Sequence, residues 1–156
     1  MTEVGIRPAC ADDAEELAAV YRNAYRENER LGFPAFAGSA DAGTVAGWIE
    51  EARVYVATAG SEIVGGVRLE ATDPDRLKLS RLGVHEEWKG EGIGSRLLDH
   101  AEGLARRWGH STVWLTTPED HPHLPGFYRR RGYEVTRPYP LDFRDYDEVV
   151  MEKGVG

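Results

Sequence analysis

Apolar residues along this chain follow two different spacings, and the switches between them predict an ordered series of strands and helices. Val4 and Ile6 alternate with polar neighbours until Pro8, a short edge strand. Leu17, Val20, Tyr21, Ala24 and Tyr25 then recur at helical spacing, which predicts a helix over 13–28, with Asp12 and Glu15 as its capping pair. Residues 30–39 form an irregular loop bearing aromatic residues, placed to seal a core edge or to line a pocket. Asp41 is placed to cap a second helix that buries Val45, Trp48 and Ile49. The β-rich runs 53–59 and 63–69 flank Gly60-Ser61-Glu62, which reads as a hairpin. A turn over 72–75 leads to a strand over 77–84, with Leu77 and Leu79 on one face.

The second half repeats the switch. Ile93, Leu97, Leu98, Ala101, Leu104, Ala105 and Trp108 lie on one helical face, and Gly109 is placed to end that helix. A short buried strand over 112–116, a loop over 117–123 and a short helix over 124–131 stopped by Gly132 come next. Two antiparallel strands over 133–137 and 148–152, joined by an excursion rich in proline and tyrosine, close the chain. Strands and helices alternate in the middle and hairpins flank them, so the expected class is α/β: one mixed sheet with helices on its faces.

Composition narrows what such a fold does. At 156 residues the chain is expected to form a single domain, 1–156. A net charge of −8 argues against binding nucleic acid or an anionic membrane, both of which need a basic surface. It weakly favours a cationic or amine-bearing partner. Cys10 is the one cysteine, so an intramolecular disulfide is excluded; it reads as a small packing residue in a reducing cytoplasm. No apolar run approaches the roughly 20 residues of a membrane-spanning helix. The first residues lack the basic and apolar regions of a signal peptide, so the expectation is a soluble cytoplasmic protein.

The stretch with most chemistry is Leu82-Gly-Val-His-Glu-Glu-Trp-Lys-Gly-Glu-Gly-Ile-Gly-Ser-Arg-Leu-Leu98. It reads as a strand end, a glycine-rich turn at Gly90, Gly92 and Gly94, and the start of a helix. Glycine leaves backbone N–H groups uncovered, and a helix N-terminus adds unpaired donors and a positive dipole end. That combination suits a phosphate. The turn is neither a nucleotide P-loop nor a Gly-x-Gly-x-x-Gly fingerprint, and alone it is a weak signal.

The spacing around it is more specific. Val84 precedes Lys89-Gly-Glu-Gly-Ile-Gly94 by five positions, Leu97-Leu98 follow, and Gly126-Phe-Tyr-Arg-Arg-Arg-Gly-Tyr133 comes about thirty residues later. This set resembles the GNAT superfamily of acyl-CoA-dependent N-acyltransferases, most strongly over 77–135. The resemblance implies a mixed, mostly antiparallel sheet of about six or seven strands with helices on both faces. It implies acetyl-CoA as co-substrate, no metal, and an amine-bearing small molecule or peptide as acceptor, and it is compatible with a homodimer. It places the coenzyme at Leu82, Gly83, Val84, Lys89, Gly90, Glu91, Gly92, Ile93, Gly94 and Ser95. The N–H groups of 89–95 would cradle the pyrophosphate, backbone at Leu82 and Val84 would pair with the pantetheine arm, and an N–H near Val84 would stabilise the oxyanion. The family's fourth and fifth strands splay apart, leaving that backbone exposed. Tyr128 is the candidate acid for the departing thiolate; its bland reading is a core aromatic.

Three positions depart from the family pattern. Lys89 stands where arginine or glutamine is usual, His121 where many members carry asparagine, and Lys78 where some carry a basic glutamate. Glu70, His121, His123 and a chain of waters are alternative routes for the amine's proton. Glu119, Asp120, His121 and His123 have metal-ligand chemistry, but the prolines around them favour a solvated turn. Arg129, Arg130 and Arg131 compensate a helix dipole or reach the adenosine phosphates, and Trp48, Trp108 and Trp114 read as core, with Trp88 flanking the turn. Acidic residues at Glu27, Glu29, Asp142, Asp145 and Asp147 fall in segments that form the acceptor wall in the family. Two readings compete with the enzyme: a catalytically silent CoA-binding sensor and a mononucleotide-binding domain.

Overall fold

A computed structural model describes residues 3–34, 36–139 and 146–156, with backbone only at 36 and 37. In chain order its elements are β1 (Val4–Pro8), α1 (Ala14–Ala24), α2 (Arg26–Arg30), α3 (Ala42–Glu51), β2 (Arg53–Ala59), β3 (Glu62–Asp73) and β4 (Arg76–Val84). Then follow α4 (Ile93–Arg107), β5 (Thr112–Pro118), α5 (Leu124–Arg130), β6 (Glu134–Tyr139) and β7 (Glu148–Gly154). The strands form a seven-stranded sheet in the order β1-β2-β3-β4-β5-β7-β6. It is mixed, with antiparallel ladders and a parallel β4–β5 pair, as the expected fold class requires. By contacts the chain divides into two compact units, Met1–Glu70 with Leu79–Ala101 and Ala71–Lys78 with Glu102–Gly156.

In the first unit β1 pairs with β2 from Val4↔Ala59 to Pro8↔Tyr55, an edge position that tolerates a proline lacking N–H. β2 and β3 form the expected hairpin, with Ala59 opposite Glu62. One sheet face, carrying Val54, Val56 and Ile63, packs against Leu17, Val20 and Tyr21 of α1 and Val45 and Trp48 of α3. On the other face Tyr55 meets His100 of α4, ring centroids 5.0 Å apart. Coverage on both faces explains why β2 and β3 are buried almost continuously and do not alternate.

The first helix departs from its prediction at both ends. Its entry is a 3-10 turn, Ala11–Asp13, with Cys10 as N-cap. Asp13, and not the predicted Asp12–Glu15 pair, does the capping: its carboxylate accepts the Cys10 N–H at 2.8 Å and two bonds from Arg7 at 2.7 and 3.0 Å. Cys10 is exposed and does not pack in the core. The predicted helix over 13–28 breaks at Tyr25, whose backbone leaves helical geometry (φ −92°, ψ 3°) before α2 begins. Asp41 caps α3 as expected, accepting the Thr44 N–H at 2.8 Å.

In the second unit β7 lies between β5 (Thr112↔Gly154 to Pro118↔Glu148) and β6 (Glu134↔Glu152 to Tyr139↔Glu148). β5 runs past the predicted end at 116 because its far residues still ladder with β7. The parallel β4–β5 ladder covers Arg76–Lys78 against Thr112–Trp114, while β4 continues to Val84 and β5 to Pro118. Trp114 is buried, with its indole N–H on Thr72 at 2.9 Å and the cations of Arg76 and Lys78 each 5.1 Å from its ring centre. Trp108 is half-buried and not a core residue. Asp142 and Asp145 lie outside the described residues. No helix among those residues is long and apolar enough to cross a membrane.

Candidate functional site

The exit from β4 is pinned on both sides. His85 donates its N–H to the Val64 carbonyl at 2.8 Å, and Glu86 donates to the Asn23 side chain of α1 at 2.8 Å. A 3-10 turn over Glu86–Trp88 follows, then the glycines. Gly90 and Gly92 have φ of 85° and 79°, where any other L-residue is strained, and a Cβ on either would point into open space. Gly94, read from sequence as part of the turn, is already inside α4 with no positive φ.

The ladder into α4 begins with the Arg96 N–H donating to the Gly92 carbonyl at 3.0 Å. The N–H groups of Ile93 and Gly94 precede that bond and face the turn, at the positive end of the helix dipole. Ile93, Leu97, Leu98 and Ala101 are buried, which fixes the helix and keeps its N-terminus at the turn. One predicted donor is already used: the Lys89 N–H donates to the Glu86 carbonyl at 3.3 Å. The Lys89 ammonium lies 2.9 Å from the Glu27 carboxylate of α2, with both side chains well exposed. Uncovered N–H donors, two left-handed glycines with nothing over them and an exposed cation fit a diphosphate.

Upstream, Gly83 lets α1 lie directly on β4. A Cβ there would meet Tyr25 at 3.1 Å and Ala24 and Tyr21 at 3.3 Å. The Tyr25 hydroxyl donates to the Leu82 carbonyl at 3.0 Å, so one lone pair of that predicted pantetheine partner is engaged. Two residues before Gly83, Arg81 has φ 53°. This left-handed kink within β4 had no signal in the sequence, because glycine is the residue expected there.

Leu82, Gly83, Val84 and 89–95 all belong to the first unit; Tyr128 belongs to the second. Tyr128 is 6% exposed on α5, with Phe127 and Tyr133 ring centroids at 5.2 and 5.8 Å. The Tyr133 hydroxyl reaches the Glu102 carboxylate at 3.0 Å, and Lys153 holds the other Glu102 oxygen at 2.8 Å. Glu102 is thus a buried charge with its cation, and it fixes the ring that packs on Tyr128.

His121 has a role that the sequence reading missed. It is buried, and its Nδ1 accepts the N–H groups of His123 and Leu124 at 3.1 and 3.2 Å. It thus satisfies two of the N–H groups left unpaired at the start of the helix that carries Tyr128, whose N-cap residue is His123. That nitrogen is occupied and cannot also serve as the amine's base. Glu70 lies 3.5 Å from Arg68, and Lys78 lies over Trp114. No group of three or more His, Cys, Asp or Glu that could hold a metal occurs among the described residues. Sequence reading also missed a cluster of Tyr21, Trp48, Arg68 and Arg81, because its members come from four separate elements.

Comparison with known proteins converges on one group. The acetyltransferase (GNAT) domain family matches residues 50–135. The uncharacterized N-acetyltransferase YvbK of Bacillus subtilis is 27% identical over 109 residues, 69% of this chain and 70% of that protein. The crystal structure of the PaiA N-acetyltransferase from Thermoplasma acidophilum, in complex with coenzyme A, superposes with a TM-score of 0.82 at 21% identity, covering 97% of this chain and 99% of that one. A GNAT family acetyltransferase from Elizabethkingia anophelis with acetyl-CoA bound gives 0.70 at 17% identity, covering 97% of each chain.

Proposed function

We propose the following reaction for this chain, which belongs to the GNAT acetyltransferase family: transfer of an acetyl group from acetyl-CoA to a primary amine by direct attack. The observation that carries the reading is the turn, with two left-handed glycines running into the uncovered N–H groups of α4. Solved neighbours that hold coenzyme A or acetyl-CoA support it.

Acetyl-CoA supplies the acyl group as a thioester. The N–H groups of Gly90, Glu91, Gly92, Ile93, Gly94 and Ser95, with the Lys89 ammonium, hold the pyrophosphate. Backbone at Leu82, Gly83 and Val84 aligns the pantetheine arm, and the Val84 N–H meets the carbonyl oxygen as charge builds on it. The amine nitrogen forms the new C–N bond as the C–S bond breaks. The amine loses one proton to solvent, and the departing thiolate takes one from Tyr128, which is then reprotonated from water. A phenol of pKa about 10 and a thiol of about 8.5 lie close enough for that transfer.

Thiol release from acetyl-CoA, measured over a panel of amines, tests the reading together with thermal protection by acetyl-CoA. Gly92→Asp puts a side chain and a negative charge against the pyrophosphate and is expected to abolish protection. Tyr128→Phe is expected to keep protection and lower kcat on the order of 100-fold. Undiminished protection of the Gly92 variant would sink the donor assignment, and full activity of Tyr128→Phe would sink the acid.

A further inference from the structure

The end of α5 ties two tyrosines together twice. Gly132, with φ 95°, donates its N–H to the Arg129 carbonyl at 3.0 Å, and Tyr133 donates to the Tyr128 carbonyl at 3.1 Å. These two bonds make a Schellman ending, in which the residue after the glycine also packs on the residue five positions back. Here the packing joins two rings: Tyr128 and Tyr133 are T-shaped, with centroids 5.8 Å apart and planes at 66°.

The far end of Tyr133 is fixed as well. Its hydroxyl donates to one Glu102 oxygen at 3.0 Å, and the Lys153 ammonium holds the other at 2.8 Å. That ammonium lies 5.7 Å from the Tyr133 ring centre, and a Cβ on Gly132 would meet the Lys153 side chain at 3.3 Å. Glu102 is 5% exposed and Tyr133 1%, so a shift of either disturbs close packing. Tyr133 is thus held from α4, β7 and its own backbone at once.

Packing alone does not call for this arrangement. A phenylalanine would fill the ring site at 133, whereas a buried carboxylate and its cation carry a desolvation cost. What the polar groups add is direction: a fully satisfied buried network fixes one orientation of the ring it anchors. The helix that carries Tyr128 has seven residues, too few to hold a rigid orientation by its own hydrogen bonds.

We propose that Tyr133, Glu102 and Lys153 are positioning residues for acyl transfer, holding the Tyr128 phenol where the departing thiolate takes its proton. The proposal rests on Tyr128 as the acid. The three residues act through the ring contact and the shared helix end, and a misplacement of about 1 Å in a reacting group can cost on the order of 100-fold in rate.

The test follows thiol release from acetyl-CoA with the amine of the panel that turns over fastest, and with hydroxylamine and water as the simplest acceptors. Tyr133→Phe removes the anchor and keeps the ring. It is expected to lower kcat about 10-fold, leave the KM for acetyl-CoA within about 2-fold, and lower the melting midpoint by a few degrees. A purely structural role would lower the midpoint alone. Made in Tyr128→Phe, the same substitution should lower the midpoint again but kcat by less than about 2-fold, because the group it positions is gone. Glu102→Gln, which still accepts from the Tyr133 hydroxyl, should recover most of the kcat lost in Glu102→Leu. Unchanged kcat in Tyr133→Phe, or equal losses in the presence and absence of the Tyr128 hydroxyl, would overturn the positioning while acetyl transfer stood. Full activity of Tyr128→Phe would overturn the acid and the positioning together. Absence of thiol release with every acceptor would overturn the transfer reading and this proposal with it.

Discussion

At the scale of single residues, position 13 shows one carboxylate joining a strand to a helix. Asp13 accepts the Cys10 N–H and both Arg7 nitrogens, and the Arg7 hydrogen bond, followed by the backbone bond, holds its pKa well below the usual carboxylate range. A depressed folded-state pKa means that ionised Asp13 stabilises the fold at every pH above its unfolded value of about 3.9. That contribution declines as pH falls below this value toward the folded one. Asp13→Asn is therefore expected to lower stability by about 1 kcal/mol at neutral pH. Urea melts repeated below pH 3 should show the gap between variant and wild type shrinking; a gap independent of pH would mean that the charge is irrelevant. Arg81 shows the opposite situation, a local cost. A non-glycine residue with φ 53° costs roughly 1–2 kcal/mol, which the packing of its guanidinium on Trp48 helps to offset.

At the scale of elements, the start of α5 depends on His121. His121→Ala removes the acceptor for two N–H groups and should destabilise the chain by about 1–2 kcal/mol, measured by thermal or urea unfolding. His121→Asn, which restores a side-chain acceptor, should recover most of the loss; equal destabilisation by both variants would rule out that role. The elements themselves were largely legible, because apolar spacing is local. Leu77 and Leu79 on β4, the α4 stripe and the cap at Asp41 were all readable within one short window. The break at Tyr25 was not. Residues 24–30 have no helix breaker, and the interruption accompanies contacts remote in sequence: the Tyr25 hydroxyl on Leu82 and its ring against Gly83. The strand ends were missed for a related reason, since β5 and β7 are extended by each other and not by their own propensities.

At the scale of the whole molecule, the glycine turn was legible and the arginine–tryptophan cluster was not, for the same physical reason. The turn over 89–95 is contiguous, and its chemistry is backbone chemistry, so spacing and glycines announce it. The Arg68–Arg81–Trp48 group is assembled from three elements, and each arginine alone reads as an ordinary polar residue in a strand. The exposed position of Cys10 affects how the intact protein behaves as a reagent. Each chain carries one accessible sulfhydryl, and a disulfide-exchange dye used to count released coenzyme A will count it too. Progress curves should open with a burst of one equivalent per chain that is independent of amine and absent in Cys10→Ser. Taken at face value, that burst would mimic a first turnover with acyl transfer to the protein. The same accessible sulfur gives a single attachment point for a fluorophore on the cap of the first helix.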